Sequence, residues 1–599
     1  MRAGVAQLRT DDGARSNAEI ARALREFALR LEMEDAPFRP RAYEKAAFVV
    51  EATREPLSAI LAAGGEKGLD ALPGVGPGIA RRIAELLRTG RMRDLERLRA
   101  KRPIDVLALT AIEGVGPKTA MALYEKLGVR DVAQLEAACR AQRVRSLAHF
   151  GERTERRILA GIALLAATPA RHAFSEAAQL ARRLAAQLRN VPGVTRVEIA
   201  GSLRRRKESI GDLDFLASAS DPRALSEAFA DLPEVVRVHA RGEGKTLVRL
   251  ANGMDADLRV VPAESFGAAL IYFTGSKAHN LKLRRIAIEA GLKLNEYGLF
   301  DGNCCLASES EAAVYAALEL PLIPPELRED AGEIEAARNG KLPRLIDYGA
   351  LRGDLQVHTR WTDGSATIEE MAAAAQALGL EYIAITDHTR DLGFARGNDE
   401  ARLLAQAAEI RALNRKLRGF RVLTGAEANI RDDGTLDIDD GVLAQLDVVG
   451  AAVHSSFRQS REQMTRRVLR AIENPHVDLL FHPTGRLIGS REPIDLDLTA
   501  VIGAAKRTGT VLEIDALPDR LDLRDEAARE ALAAGVKLAI DSDAHSPEQL
   551  AGANDGGVGV ARRAWARRRD VVNAWPVERC LAGLKDGKKR TRRAVAHSE

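Results

Sequence analysis

The chain has 599 residues, 46% hydrophobic and 29% charged, a length that calls for several domains and an apolar content that can fill a separate core in each. With 89 basic and 85 acidic side chains the formal charge is only +4, so global charge makes no case for a polyanion partner; the four cysteines, at 139, 304, 305 and 580, exclude a disulfide framework and fit a reducing compartment. No apolar run approaches the roughly 18 residues of a membrane span, and the start lacks a signal-peptide pattern, so a cytoplasmic protein that does not engage membranes is expected.

In chain order, the first signal is a repeat. Residues 72–80 (LPGVGPGIA) and 112–120 (IEGVGPKTA) recur 40 positions apart, each just before a helical pattern. They look like helix-hairpin-helix motifs, whose glycines let backbone N–H groups at a helix N-terminus meet DNA phosphates without reading sequence. Gly74, Gly76, Gly114 and Gly116 are then candidate DNA contacts. A single Gly-x-Gly turn is usually a connector; two beside the site that follows read as a DNA clamp. Residues 147–154 (LAHFGERT) form a candidate degenerate third copy.

Residues 194–200 read as a strand, Gly201-Ser202 as a tight turn open to a phosphate, and Gly211 as the start of a second apolar strand. Asp212 and Asp214, two apart in that strand, project from one face, where a carboxylate pair can bridge two magnesium ions for phosphoryl transfer. Asn252-Gly253 is a two-residue hairpin signal between residues 246–250 and 254–261. Asp255 and Asp257 share a face there; Asp257 is the candidate third ligand, and Asp255 the alternative if the register shifts by two. Residues 272–280 (YFTGSKAHN) set an aromatic pair before a small polar turn, a setting suited to a sugar and base.

The strings GSLRRRKESIGDLD, DLRVVP and YFTGSKAHN make residues from about 15 to 320 resemble a family X DNA polymerase, the family of polymerase beta. The resemblance implies that Asp212, Asp214 and Asp257 bind two catalytic metals, magnesium or manganese, with Asp257 also helping to activate the primer 3′-hydroxyl. It assigns Ser202, Arg205 and Gly211 to the triphosphate of the incoming nucleotide, and Tyr272, Phe273, Gly275 and Asn280 to its sugar and base. Residues 294–298 (LNEYG) resemble the thumb segment that meets the nascent base pair. Residues 38–47 (FRPRAYEKAA) resemble the first helical domain, where a gap's 5′-phosphate is held, with Lys45, Arg39 and Arg41 as candidate contacts. One departure stands out: the Schiff-base lysine of the family's deoxyribose-phosphate lyase reaction aligns with Arg82, and a neighbouring lysine with Gly78. A guanidinium stays protonated at neutral pH, so lyase activity of that type is not expected.

Residues 320–330 (LPLIPPELRED), Pro-rich and charged, mark a connector with enough apolar residues to pack. Beyond it, apolar runs alternate with helical patterns. The runs 353–357, 381–386, 422–426, 447–453, 477–481 and 537–540 precede His358, Asp387-His388, Glu427, His454, His482 and the segment from Asp541 to His545. This is the pattern of a barrel-like α/β domain with its site on the C-terminal rim. Five of the 11 histidines occupy these positions, which favours a multinuclear metal site over isolated structural histidines.

The strings DLQVHTRWTDG, AITDHT, GAEANI, AAVHSS, FHPTGR and IDSDAH resemble the PHP (polymerase and histidinol phosphatase) domain. The resemblance implies a distorted (β/α)7 barrel and a manganese or zinc cluster on His358, Asp363, His388, Glu427, His454, His482, Asp543 and His545. Gln356 stands where the family's first histidine would be and is included as a weaker ligand. Next to a polymerase, such a cluster implies a manganese-favoured 3′-5′ exonuclease, with abasic-site cutting or removal of 3′ blocks as further options.

The expected fold is multidomain α+β and α/β. Helical domains at 1–90 and 91–170, each with a helix-hairpin-helix, precede a polymerase beta-like nucleotidyltransferase palm (171–262) and thumb (263–320), a linker (321–348), the PHP barrel (349–584) and a tail (585–599). That tail begins with six basic residues and one acidic one over 585–593. Local positive charge for nucleic acid is expected from residues 204–207 (RRRK). The expected function is template-directed gap filling on gapped or primer-template DNA with dNTPs, by a monomer. A DNA-end-processing nuclease whose transferase fold mainly binds DNA is the principal alternative. A template-independent nucleotidyltransferase, a PHP scaffold that only positions DNA, and a non-enzymatic DNA-binding protein complete the set.

Overall fold

The computed structural model describes residues 17–34, 39–53, 55–72, 74–110, 112, 114–147, 150–167, 171–391 and 397–585. These divide into two compact units at residue 169. The basic tail lies outside the described residues except for Lys585, as do residues 148 and 149 of the third repeat and the side chain of Arg39. Among the described residues no helix is long and apolar enough to cross a membrane, and all four cysteines are free thiols.

The first unit is all helical. In helix Asn17–Met33 the apolar positions Ile20, Leu24, Phe27 and Leu31 recur at three- and four-residue spacing, and they bury against Val50, Leu57 and Ile83. A second core forms around Leu109, Ile112, Leu123, Leu135 and Ile158. Helices Pro77–Thr89 and Pro117–Leu127 both start at proline, whose missing N–H is no loss in a first turn, and both stop at a left-handed glycine, Gly90 and Gly128.

The second unit begins with a five-stranded sheet: β1 (Val194–Ile199), β2 (Asp212–Ala219), β3 (Val235–Arg241), β4 (Lys245–Leu250) and β5 (Asp255–Val260), in the order β1-β2-β5-β4-β3. Helices Phe174–Arg189 and Pro222–Ala230 share a core with it through Leu184, Phe215, Phe229 and Leu258. The Asn252-Gly253 turn joins β4 to β5 as expected, but Gly201-Ser202 is the start of a short helix, Gly201–Arg204, because Arg204 N–H bonds back to the Ala200 carbonyl (3.2 Å). Helices Phe266–Thr274 and Lys277–Glu289 follow. The Pro-rich connector packs onto the core after them, burying Ile323, Leu327, Ile334 and Leu345.

Seven parallel strands then run in sequence order: β6 (Gly353–Val357), β7 (Tyr382–Ile385), β8 (Arg421–Asn429), β9 (Val448–Ala452), β10 (Leu479–Leu480), β11 (Val511–Asp515) and β12 (Leu538–Asp541). A Val357–Ala544 bridge brings the last strand's end back to the first, so the sheet is a nearly closed barrel. Two buried carboxylates staple this seam: Asp541 accepts from Leu355 N–H (2.7 Å) and Asp354 from Ser542 N–H (3.2 Å). The strand series read from sequence needs two corrections. β11 was not in it, because that run ends in carboxylates and not in histidine; and Glu427 lies inside β8, which extends past it to Asn429.

Ion pairs tie the palm to the thumb, connector and barrel, and these absorb the basic run. Arg204 makes a two-pronged contact with Glu311 (2.7 Å on each prong), Arg205 meets Glu329 (3.0 Å), and Arg206, with Arg182, reaches Asp555 of the barrel domain. Glu208 accepts from Arg486 (2.7 Å). The expectation that residues 204–207 supply free positive charge for nucleic acid is therefore corrected: three of the four are neutralised internally. Glu311 also binds the fully buried Arg328 (2.7 Å). Burial alone would raise the Glu311 carboxyl, but Arg204 and Arg328 outweigh it and hold the group down to about 2, against an ordinary 4.5.

A carboxyl lowered on folding stabilises the protein above its unfolded pKa, and that stability is lost as pH falls through the folded value. Glu311 is thus expected to contribute roughly 3 kcal/mol at neutral pH, lost between about pH 5 and pH 2. Glu311→Gln should lower the thermal midpoint at pH 7 and flatten the acid limb of a stability–pH profile.

Candidate active sites

The palm centre follows from strand register. Parallel pairing of β2 with β5 sets Asp212 beside Asp255 and Asp214 beside Asp257. Asp255 is taken up by Arg249, in contacts of 2.6 and 2.9 Å. Asp257 keeps one buried oxygen, Oδ1, with no hydrogen bond but 3.1 Å from Arg259, while Lys245 lies 3.7 Å from its Oδ2. Burial, then the charges of Asp212 and Asp257, push the Asp214 carboxyl up to about 7, the mark of carboxylates crowded in want of cations. Asp214 lies against Gly201, whose φ is +61° and where an added Cβ would fall 1.9 Å from Asp214 Oδ2. Only glycine fits both the backbone and the carboxylate there.

Around these acids the candidate nucleotide residues are variously engaged. Arg205 is held by Glu329 and by the Thr274 carbonyl, against the Gly275 turn, so its guanidinium braces that turn. Ser202 lies in the short helix Gly201–Arg204, and Gly211 faces the Arg171 guanidinium at 3.5 Å from an added Cβ. Tyr272 and Phe273 meet edge to face at 5.0 Å, with Arg284 over one ring and Arg259 over the other. Asn280 donates to the Tyr272 carbonyl (2.8 Å) and keeps a buried carbonyl oxygen without a partner. In the segment 294–298, Asn295 accepts from Tyr297 N–H (2.9 Å) and leaves the Tyr297 ring exposed.

In the helical unit the two glycine repeats fold alike. Gly74 and Gly114 have φ of +78° and +86°, and Gly76 and Gly116 are extended N-caps whose Cβ positions open on empty space. A phosphate can approach both. The exposed Lys45 lays its stem on Gly74, 3.0 Å from an added Cβ, and Arg157 covers Gly114 with its guanidinium at 2.7 Å. Arg157 was missed in the sequence because nothing local links it to the hairpin. At the third repeat, Phe150 N–H to Leu147 (3.0 Å) and Glu155 N–H to Gly151 (3.1 Å) reproduce the bonds of Val75 to Leu72 and Ala80 to Gly76 (both 3.0 Å). Arg82 is tied to Asp94 (2.6 and 3.0 Å) and to the Gly78 carbonyl (2.8 Å); Arg41 is exposed.

At the barrel rim the donors converge. His358, Asp363, His388 and His545 offer ligand atoms all within 4.8 Å of one another, as do His388, Glu427 and His454, and again His358, Glu427 and Asp543. His482 adjoins them through Glu427 (2.7 Å). Among the described residues these gathered sets occur in the barrel and not in the palm. His545 Nδ1 donates to the Asp543 carbonyl (2.8 Å) and His454 Nδ1 to Asn429 (2.5 Å), which turns each Nε2 towards a carboxylate. Neither ring nitrogen of the fully buried His358 has a hydrogen bond. Burial would lower that imidazole, yet Asp543 and Glu427 raise it well above its usual range, and burial followed by the Arg520 charge drives His482 down to about 4. Asp543 and His482 are non-glycine residues at φ +49° and +27°, local strain of the kind stored at reactive centres. The donor chemistry fits divalent cations.

Gln356, fully buried, meets a carboxylate of the barrel interior. Its amide nitrogen donates to both oxygens of buried Glu513 (2.5 and 3.1 Å), a carboxylate that also takes His482 N–H (2.5 Å) and is raised well above its usual range by burial and then by Asp541 and Asp515. Glu513, an acid in need of donors, thus takes up the amide. β11 also brings Asp515, and behind it comes Arg520, whose Nε lies 3.2 Å from Asp515 and 3.7 Å from Asp543 while its buried Nη1 has no hydrogen bond. The apolar-acid alternation of residues 511–515 was the available signal for this strand.

A carboxylate-bearing palm sheet fused to a metal-ligating barrel defines a nucleotidyltransferase carrying a phosphoesterase domain. Comparisons agree. Profiles of a helix-hairpin-helix domain, a SAM-like helix-hairpin-helix tandem, the DNA polymerase beta thumb and the PHP domain match residues 15–92, 106–163, 269–329 and 354–490. The chain is 38% identical, over 95% of its length and 99% of the relative's, to the DNA polymerase/3′-5′ exonuclease PolX of Bacillus subtilis. It is 27% identical to DNA polymerase lambda of Rattus norvegicus over 47% of this chain and 49% of that one, and 34% identical to a probable phosphatase of Thermoanaerobacter sp. over 30% and 73%. The chain belongs to the family X DNA polymerases that carry a PHP domain. It is an enzyme that depends on divalent metal and has DNA as its partner.

Gly201→Ala should abolish primer extension while leaving degradation of DNA at the wild-type rate, because the added methyl displaces Asp214 alone. Borohydride reduction in the presence of DNA with an abasic 5′-phosphate end should trap no covalent complex, since Arg82 is no Schiff-base amine; a trapped adduct would overturn that assignment.

Proposed function

We propose that the palm fills short DNA gaps by template-directed nucleotidyl transfer and that the barrel rim is a 3′-5′ exonuclease. The observation that carries this is the presence, within one unit, of two separate acidic donor sets, one on paired palm strands and one among five imidazoles. When bound, magnesium or manganese at the palm supplies the charge that holds a dNTP triphosphate and stabilises in-line displacement. Asp212 and Asp214, with Asp257, would hold these ions, and Asp257, beside Arg259 (3.1 Å), would accept the proton of the primer 3′-hydroxyl. Asn280, with its unpartnered oxygen, and Tyr272 would orient the sugar and base. Arg205 braces the Gly275 turn, and so its part in triphosphate binding is indirect. The exposed glycine turns, with Lys45 and Arg157 beside them, would grip backbone phosphates.

At the rim, manganese or zinc supplies Lewis-acid charge for attack of water on a phosphodiester. His358, Asp363, His388, Glu427, His454, Asp543 and His545 would hold the cluster, with His482 beside Glu427. Asn429 and the Asp543 carbonyl set the tautomers, and the open donor on Arg520 would bind the substrate phosphate. The protein works on primer-template DNA as a monomer.

The decisive assay follows a 5′-labelled primer on a gapped duplex with magnesium or manganese, with and without dNTPs. Asp212→Ala should lower extension at least about a hundredfold and spare shortening, whereas His358→Ala with His388→Ala should do the reverse and also lower bound metal by elemental analysis. Equal loss of both activities in both variants would sink the two-centre reading.

A further inference from the structure

Away from both centres, the connector and the barrel enclose a cleft of about 780 Å³ lined by Lys341, Arg344, Arg567, Arg568 and Arg569, with Asp347 as the carboxylate among its lining residues. All five cations are exposed, and among the described residues none forms an ion pair. This sets them apart from Arg204, Arg205, Arg206, Arg486, Arg562 and Arg563, each of which is matched to an acid. The nearby Asp570 is already used: it caps Arg567 N–H (3.1 Å) and meets Lys537 (3.3 Å).

The cleft is built, since both of its sides are pinned. Ile346 N–H bonds to the Ala566 carbonyl (2.9 Å), which joins the connector loop to the arginine turn. Lys537 donates to the Arg569 carbonyl (3.0 Å), and Val571 bridges to Leu538, which places the turn at the start of β12. The metal ligands Asp543 and His545 follow the other end of that strand, whose four residues span roughly 10 Å at the rise of extended chain. The cleft therefore lies at the end of β12 opposite the rim ligands, and none of its lining residues is among the palm residues named above.

We propose that this cleft binds the sugar–phosphate backbone of DNA outside both catalytic centres. The proposal rests on DNA being the partner, and adds a third place of contact to the enzyme. Five cations with one opposing carboxylate favour a polyanion, and three consecutive arginines give planar donors suited to successive phosphates, more than a single small anion would use. Binding there has no base contacts to offer and is sequence-independent, driven by release of counterions.

The test is binding of the full chain to fluorescein-labelled gapped DNA by anisotropy in EDTA, over a range of salt concentrations. One duplex is confined to the gap and its immediate flanks, and a second is extended well beyond both. For the extended duplex, Arg567→Ala/Arg568→Ala/Arg569→Ala should lower the slope of log K against log salt by about 2 to 3, at close to 0.9 per lost phosphate contact. Binding to the short duplex should not change. Lys341→Ala/Arg344→Ala, on the facing loop, should move the slope in the same direction, and Asp347→Asn should tighten binding of the extended duplex. Gap filling on the short duplex, run in parallel, should be retained by every variant; its absence from the wild type would count against the polymerase reading and not against this cleft. Equal slopes for wild type and both multiple variants on the extended duplex would overturn the proposal. So would displacement by polyglutamate at equal charge with unchanged DNA binding in the variants, which would make the cleft a site for an acidic protein.

Discussion

Crowded carboxylates govern this molecule, because like charges brought together at low dielectric must be given counter-charge or protons. In the palm, Asp214 sits between Asp212 and Asp257 and is pushed up to about 7. In the barrel, Glu513, Asp515 and Asp541 are fully buried, all raised, and crowd near Asp543 and the histidine arc. Cations bound at the two centres would satisfy the outer acids. The inner ones rely on the protein: Asp541 and Asp354 take backbone N–H groups across the barrel seam, Glu513 takes Gln356 and His482 N–H, and Asp515 faces Arg520.

The same economy of charge builds the junction. Between the Gly201 turn and Asp212 the chain carries four basic residues in a row, and three of them are spent on acids of the thumb, connector and barrel. Glu208, in the same segment, is held by Arg486, which follows His482 of the barrel rim by four residues. The loop that positions the palm aspartates is therefore anchored on the barrel, and palm and barrel belong to one compact unit. Synthesis and degradation are thereby carried on a shared frame, whatever path the DNA end takes.

Much of this could be read directly. Helical and strand periodicity, the Asn252-Gly253 turn, the repeated glycine hairpins and the histidines at strand ends are local signals, each expressed within a few residues. What escaped was non-local. Arg157 meets Gly114 from a helix more than 40 residues on; Arg520 and Asp515 enter the site from a strand without histidine; and the basic run at 204–207 looked like a nucleic-acid contact until its acidic partners, more than 100 residues away, were in place.

By itself the sequence determined which chemistry the protein carries: paired aspartates at strand spacing, glycines that only a tight backbone turn requires, and a ligand set of imidazoles and carboxylates. Side-chain type and short-range spacing suffice for that. Only the tertiary structure decided which acid joins Asp214, since the β2–β5 register and the Arg249 contact together separate Asp257 from Asp255. It also decided that Gln356 meets Glu513, and that some arginines are struts while others stand open in a cleft. The reason is physical: a charge acquires its role from the partner that folding brings within a few ångströms, and that partner is set by long-range packing.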